Sequence, residues 1–470
     1  MKQAINEIPI APRDNRPKDF TQGPVHLHLI NLTGYMMIGL VSVILASLVE
    51  AIYIGRIGID ELAAIGFTFP LIMIMQGVSM GLSVGASSVV ARCMGIGEQQ
   101  KAKRLITHCF VLVLLLILTF ATIAYFNLDA FFRLLGAGDL VRALAVDYMK
   151  VWLFGLPLFT IAIVGSTLMR AMGDAVTPGY LMTIGSGLHI FIAPVFIFGL
   201  LGAPEMGLTG AAVSFVLARL ISVAMYAYFM VVRDKVFLYS MVGFFTSCRD
   251  ILHVGFPAVA SNLIAPVSMT VITRLLAGHG EIVIAGFGVA SRIESMMTMI
   301  VWALSMSVAP LVGQNWGAGN FDRVKRTLAL ANGFVMLWGI AAYIFLLLTA
   351  DFLVSLINED PGVVEAAGTY LMIVPISIGV MGVMSNSTAT FNALGKPGPP
   401  LIISILQMIV VYIPLAMLGD YLFGYIGIFI AGVCTATLLG IVSLFWVKRQ
   451  IEVGMHRRTD QVEAAGNTSA

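Results

Sequence analysis

Charged residues are scarce in this chain of 470 residues. Only 11% of its residues are Asp, Glu, Lys or Arg, whereas 59% are hydrophobic. A water-soluble protein carries about 25% charged residues, and the smaller share found here cannot cover a globule in water. We therefore expect lipid to surround most of the molecular surface.

Several functional classes are disfavoured by what is missing. The net charge is only +2, which argues against a nucleic-acid partner. The four cysteines have no metal-ligand spacing, and we expect neither a metal nor another cofactor. No phosphate-binding loop of the Gly-x-x-x-x-Gly-Lys-Ser/Thr type occurs. We also find no nucleophile paired with a base, and we assign no catalytic residue and no obligate protein partner. The first 25 residues lack the pattern of a cleaved signal peptide.

Long apolar runs dominate the rest of the sequence. A helix needs about 20 apolar residues to cross a bilayer, and twelve stretches qualify, each too uniformly apolar for barrel strands. They are Ile30–Ile54, Leu62–Val90, Leu105–Phe126, Val151–Met169, Tyr180–Leu201, Leu208–Val232, Ile251–Ala277, Ile282–Val312, Leu328–Leu348, Leu371–Phe391, Leu401–Leu418 and Ile426–Val447. The sequence therefore predicts an all-α protein with twelve transmembrane helices.

Lys and Arg residues in the loops indicate the orientation of these spans. Twenty lie on the side of the two chain ends, with Arg170 counted in the loop after span four, and four lie on the opposite side. Such a bias predicts that both termini are cytoplasmic. We expect a multi-pass protein of the bacterial cytoplasmic (inner) membrane, with the lipid bilayer as its first partner.

The sequence repeats itself at a spacing of about 220 residues. Gly66-Phe67 aligns with Gly286-Phe287, and Ala171 aligns with Ala393. Six spans in each half give two parallel repeats, an arrangement typical of transporters with a central substrate site. The predicted divisions are a tail over 1–27, a six-helix lobe over 28–232, a linker over 233–250, a second lobe over 251–447 and a tail over 448–470.

Motifs along the chain resemble those of the multidrug and toxic compound extrusion (MATE) family. The stretch after span eight carries Gly313, Gln314, Asn315, Gly317, Ala318 and Asn320. Gly55-Arg56-Ile57-Gly58 and the segment from Asn392 to Pro397 are also similar to family segments, and the resemblance extends from Asn31 to Val447. It implies a V-shaped, two-lobed antiporter. Such a protein exports amphipathic, often cationic small molecules by alternating access, in exchange for protons or sodium ions.

The ion-coupling positions depart from the family pattern. Glu50 stands where the family often has an aspartate late in the first helix. His189 and Ala193 match the Asn and Asp of proton-coupled members, and Ala265, eight residues after Pro257, matches the glutamate of sodium-coupled members. The resemblance therefore leaves both H⁺ and Na⁺ open as the coupling ion.

Two side chains are the predicted ion-coupling residues. Ionisable groups inside a bilayer are costly and commonly functional, and Glu50 can bind a proton on one side and release it on the other. Its alternative role is that of a helix-end carboxylate in water or in an ion pair. His189 titrates near neutral pH and can share a proton network with Glu50, or it can remain neutral beside a hydroxyl or carbonyl group.

Apart from Glu50, the Asp, Glu, Lys and Arg residues within spans are Glu294 and three arginines. Arg292 and Glu294 are two residues apart and face different sides of a helix, and Arg274 is the predicted partner of Glu294. Together with Arg219 they either join helices or line the substrate cavity. Gly77, Gly81 and Gly85 recur every four residues, a spacing that predicts close helix packing.

The leading functional prediction is an ion-coupled exporter of small amphipathic, cationic compounds. A flippase for lipid-linked precursors is the alternative, although its cavity would need more cationic side chains than three arginines. An intramembrane enzyme and a channel are further hypotheses from other classes.

Overall fold

Twelve long helices make up the part of the chain that the structure describes. The computed structural model describes residues 19–467, and within that range every long element is a helix. The helices are α1 Val25–Gly55, α2 Ile59–Ile96, α3 Gln99–Leu134, α4 Asp139–Ala171, α5 Val176–Ile197, α6 Gly207–Arg233, α7 Phe244–Ala277, α8 Glu281–Ala318, α9 Phe321–Ser355, α10 Pro361–Ala393, α11 Gly398–Phe423 and α12 Tyr425–Asn467. All twelve are long and apolar enough to span a membrane, which confirms the predicted number of spans.

The two halves of the chain pack in the same way. In the first half α1 contacts α5, α2 contacts α4, and α6 contacts both α4 and α5; the equivalent pairs α7 with α11, α8 with α10, and α12 with α10 and α11 occur in the second half. Because each half has six helices, the halves have like orientation. The predicted fold class is therefore confirmed, and we call helices α1–α6 the N-lobe and α7–α12 the C-lobe.

Several helices extend beyond the predicted spans. Helix α4 begins at Asp139 rather than Val151, because its first three turns, which carry charged residues, can project past the apolar layer. Helix α12 continues without a break to Asn467, although the sequence predicted a separate tail from residue 448. Arg170, which was placed in a loop, lies in the last turn of α4 and is 3% exposed.

The lobes meet along a seam near one end of the molecule. We call this end, where α1 begins and α2, α8 and α12 end, the tail side. The glycines of α2 allow α7 to approach closely: a Cβ on Gly81 would lie 2.6 Å from Val259 Cα, and a Cβ on Gly85 would lie 2.8 Å from Gly255 Cα. The predicted helix packing is correct, and it joins the two lobes.

Candidate functional site

Glu50 and His189 lie together inside the N-lobe, where α1 packs against α5. Glu50 Oε1 is 3.7 Å from His189 Nε2, and the two side chains are 21% and 7% exposed. Arg219 on α6 lies within electrostatic range of Glu50, but no salt bridge joins them in the described chain. The two predicted coupling residues are thus neighbours, with a cation nearby.

Aromatic side chains enclose this pair. Phe215 stacks on Trp152 at a centroid distance of 5.1 Å and meets His189 edge-on at 6.2 Å. The Arg219 guanidinium lies over the rings of Phe159 and Phe215, 5.3 and 5.2 Å from their centroids. Cation–π contacts of this kind stabilise a cation away from water. The sequence predicted that Arg219 either forms an ion pair or lines the substrate cavity, and in the structure these two rings hold its guanidinium.

Buried polar atoms without hydrogen bonds cluster beside the pair. They include His189 Nε2, Ser186 Oγ and Arg219 Nε. Buried polar groups in folded proteins are normally satisfied, often by internal water. The N-lobe interior thus offers unsatisfied donors and acceptors beside a titratable pair.

Arg170 is a polar residue of this interior that the sequence did not single out. Its guanidinium turns back along α4 and donates to Ser166 Oγ at 2.6 Å and to Thr167 Oγ1 at 3.0 Å. It also contacts Met36 Sδ at 3.2 Å. The sequence indicated a loop for Arg170, because it follows the end of an apolar run. Sequence alone does not reveal whether an arginine side chain points to water or inward.

The C-lobe holds its intramembrane carboxylate differently. The Tyr370 hydroxyl donates to Glu294 Oε2 at 2.5 Å, and Tyr370 is 6% exposed. The predicted pairing of Glu294 with Arg274 is wrong, because no salt bridge joins these two described residues and Arg274 is exposed. Arg292 is also exposed on α8, whereas Glu294 turns inward, so the predicted divergence of these two side chains is correct.

The motif after span eight forms part of the seam. A Cβ on Gly313 would lie 2.7 Å from Ala91 Cβ, and one on Gly317 would lie 3.0 Å from the Arg92 carbonyl carbon. The tail-side ends of α2 and α8 therefore cross at van der Waals distance. The motif ends where Ala318 closes α8 and Asn320 precedes α9.

The polar residues of the motif make specific contacts at this crossing. Gln314 Nε2 donates to the Ala171 carbonyl at 2.8 Å, and Gln314 Oε1 accepts from Phe20 N at 3.0 Å. Asn315 Nδ2 donates to the Phe20 carbonyl at 3.2 Å, and Asn315 Oδ1 accepts from Arg323 Nε at 2.9 Å. These contacts join both lobes to the segment before α1.

Comparison with known families gives a match over most of the chain. The model of the MatE family matches residues 36–195 and again residues 257–418. The two matches begin 221 residues apart, in agreement with the repeat seen in the sequence and in the helix packing.

Relatives and solved structures agree with this match. The FAD transporter of Shewanella oneidensis is 30% identical over 91% of this chain and 96% of its own length. A probable multidrug resistance protein, NorM, of Thermotoga maritima is 25% identical over 87% of this chain and 90% of its own length. The crystal structure of a mutant of the Vibrio cholerae MATE transporter VcmN is 28% identical, covers 91% of this chain and 97% of that one, and superposes with a TM-score of 0.88. This chain belongs to the MATE family of multi-pass membrane transporters.

Proposed function

We propose that the protein is a secondary active exporter that exchanges small organic molecules for protons by alternating access. The observation that carries the proposal is the Glu50–His189 contact of 3.7 Å within the N-lobe. A carboxylate and an imidazole 3.7 Å apart can exchange a proton through one bridging water, or directly after a small side-chain movement to hydrogen-bond distance. Unsatisfied polar atoms around them provide places for water to deliver it.

Protonation of Glu50 changes the charge balance of the N-lobe interior. When Glu50 is ionised, its negative charge compensates the positive charge of Arg219. When Glu50 is protonated, the arginine loses that counter-charge. The gain or loss of one carboxylate charge inside a low-dielectric interior favours different packing of the surrounding helices. A proton arriving from one side can therefore bias the lobes toward one of two arrangements.

We assign the tail side to the cytoplasm of a bacterium. The excess of Lys and Arg in the loops on this side supports the assignment. Under it, both termini are cytoplasmic. The closely packed seam lies at the same end. In this arrangement the cytoplasmic entrance is shut, and the substrate path opens toward the outside.

Two substrate classes are supported by different observations. Multidrug relatives such as the Thermotoga maritima protein support amphipathic, cationic compounds, as the sequence predicted. The Shewanella oneidensis relative, an FAD transporter at 30% identity, supports an anionic dinucleotide. Exposed Arg274 and Arg292 on the C-lobe are suitable partners for phosphate groups.

Reconstituted liposomes test the proposal directly. Uptake of ethidium and of FAD, both fluorescent, is measured under an imposed proton gradient or sodium gradient. We expect the proton gradient to drive one of them and Glu50→Gln to abolish that uptake. Glu294→Gln is the matched control, because it alters the other intramembrane carboxylate, which is bonded to Tyr370.

The remaining outcomes separate the alternatives. Uptake driven only by sodium ions would overturn proton coupling while leaving export in place. If neither compound moves under either gradient but a labelled lipid-linked precursor crosses the bilayer, the flippase alternative replaces the exporter. Normal proton-driven uptake by Glu50→Gln would remove Glu50 from the mechanism.

A further inference from the structure

The segment immediately before α1 folds into a compact turn against the C-lobe. We call residues 19–23 the strap. Asp19 Oδ1 accepts from Thr21 N at 2.8 Å, and the Gln22 carbonyl lies 2.8 Å from His28 Nε2. Phe20 packs edge-on against the His28 ring at a centroid distance of 5.3 Å. The strap is thus organised by its own contacts and docks as one unit.

The surface that receives the strap binds its main chain. We call Gln314, Asn315 and Arg323 the cradle. Gln314 and Asn315 bind the N–H and carbonyl of Phe20. The Arg323 guanidinium donates to the carbonyls of Phe20, Gln22 and Gly23 at 2.8, 3.1 and 2.7 Å. Charged donors to carbonyl groups make strong hydrogen bonds.

One side chain anchors the strap by burial. Phe20 is 3% exposed and belongs to the same apolar cluster as Leu311 and Val312 of α8 and Val324 of α9. The first turns of α1, at Val25 and Leu29, join this cluster as well. The strap and the start of α1 therefore pack on the C-lobe, although the rest of α1 belongs to the N-lobe.

The cradle also touches the N-lobe directly. Gln314 uses its carbonyl oxygen for Phe20 and its amide nitrogen for the carbonyl of Ala171 at the end of α4. One side chain consequently holds the strap, α8 and α4 together at the seam. If the lobes separate on the tail side, Gln314 cannot keep both partners.

We propose that the strap is a detachable closure of the tail-side entrance, bound by the Gln314–Asn315–Arg323 cradle when the entrance is shut and released when the lobes part. The inference rests on the proposed alternating access. It gives the motif after span eight the role of binding a peptide main chain. Loss of the strap's contacts must then favour the tail-open arrangement.

Thiol labelling tests this closure without requiring transport. Ser88 is 4% exposed and its hydroxyl donates across the seam to the Asn392 carbonyl. A cysteine at position 88 is introduced into a chain whose four native cysteines, Cys93, Cys109, Cys248 and Cys434, are replaced by serine. The labelling rate with a hydrophilic maleimide is measured in lipid nanodiscs. We expect Arg323→Gln and Phe20→Ala each to raise that rate about tenfold, as loss of charged or buried contacts predicts.

Two controls separate closure from general destabilisation. Arg326→Gln changes an exposed cation on α9, the helix that carries Arg323, and should leave the labelling rate at position 88 unchanged. A second background retains only Cys109, which is fully buried in the N-lobe core and should stay unlabelled in the strap variants. Equal rates at position 88 in wild type and both variants would overturn the proposal. Labelling of Cys109 in step with position 88 would also overturn it, since the strap would then be a fixed part of the fold. Neither result depends on whether Glu50 couples to protons.

Discussion

Arg92 and Gln314 occupy equivalent places in the two lobes and close the seam in the same way. They are 222 residues apart in the sequence, as are Ala171 and Ala393. Arg92 Nη1 donates to the Ala393 carbonyl at 2.9 Å, and Gln314 Nε2 donates to the Ala171 carbonyl at 2.8 Å. Each lobe therefore donates a hydrogen bond to the end of the fourth helix of the other lobe.

These two equivalent hydrogen bonds predict that substitution of either Arg92 or Gln314 weakens the tail-side closure. A hydrogen bond in such a place contributes about 1–3 kcal/mol, so Arg92→Met or Gln314→Met should shift the open-to-closed ratio about tenfold or more. Spin labels on exposed Gln99 and Arg326, one on each lobe, report the distance across the tail side. Pulsed electron paramagnetic resonance should show a larger long-distance population in both variants.

Lys325→Met is the matched control for this measurement, because Lys325 is exposed on the same side. A shift in only one of the two variants would show that the lobes are not held by equivalent contacts. The long-distance population should be largest in the double variant.

The α2–α7 contact predicts opposite effects for two glycines of one helix. A Cβ on Gly81 would lie 2.6 Å from Val259 Cα, whereas a Cβ on Gly66 meets nothing within 4 Å. Gly81→Ala should destabilise the protein by about 1–3 kcal/mol through overpacking against α7. Gly66→Ala should be neutral or stabilising, because alanine is the better helix former. Thermal unfolding in detergent micelles compares them; equal effects would contradict the close approach.

The fold was readable from the sequence because its causes are local or periodic. Runs of apolar residues identify spans, and the repeat and its even number of helices determine the orientation of the halves. Helix ends were less predictable: α4 starts twelve residues before the predicted Val151, because hydrophobicity marks where the bilayer lies and not where the helix stops.

The C-lobe carboxylate predicts different costs for two substitutions. Glu294 accepts a hydrogen bond from Tyr370 at 2.5 Å, and Tyr370→Phe should cost about 1–3 kcal/mol because a buried acceptor loses its donor. Arg274→Gln should change stability by less than about 0.5 kcal/mol, since it removes an exposed side chain. A large loss of thermal stability in Arg274→Gln would restore the ion pair that the sequence predicted.

The candidate site was only partly readable from the sequence. Rarity of charge within spans pointed to Glu50, and its contact with His189 follows from the packing of α1 on α5. Tyr370 and Arg170 carried no such signal, because a tyrosine within a span is common and an arginine near a helix end usually faces water. Which donor satisfies a buried carboxylate depends on side-chain packing, which periodicity does not encode.

The imidazole beside Glu50 predicts a change in the pH profile of transport. His189→Asn keeps a polar side chain next to Glu50, but asparagine cannot bind a proton. We expect the proton-driven rate to fall about tenfold, the range that loss of a positioned proton carrier can cause. The rate should also depend less on pH, because only Glu50 of the pair can then bind a proton. An unchanged pH profile in proteoliposomes would leave Glu50 as the lone coupling group.

Asp174, between α4 and α5, predicts a pH-dependent contribution to stability. Burial alone would raise its pKa, but hydrogen bonds from Thr177 and Arg233 together outweigh it and hold the pKa below the ordinary 3.8. Arg233 Nη2 lies 2.7 Å from Asp174 Oδ2. A lowered pKa means that the ionised form stabilises the fold at neutral pH, and this contribution disappears as the pH falls below about 4.

Asp174→Asn should therefore cost about 1.5–3 kcal/mol at pH 7, the range for hydrogen bonds to charged groups. The difference from wild type should stay nearly constant down to about pH 4 and shrink below it, as the pH falls toward the lowered pKa of the folded state. Asp234→Asn is the control. Asp234 also binds Arg233, at 2.6 Å, but its side chain is more exposed than that of Asp174. Thermal unfolding of both variants is compared from about pH 2.5 to about pH 7, a range that includes the pH at which Asp174 becomes protonated. A stability loss in Asp174→Asn that does not change with pH would show that its carboxylate acts only through shape, because an ion pair must respond to protonation.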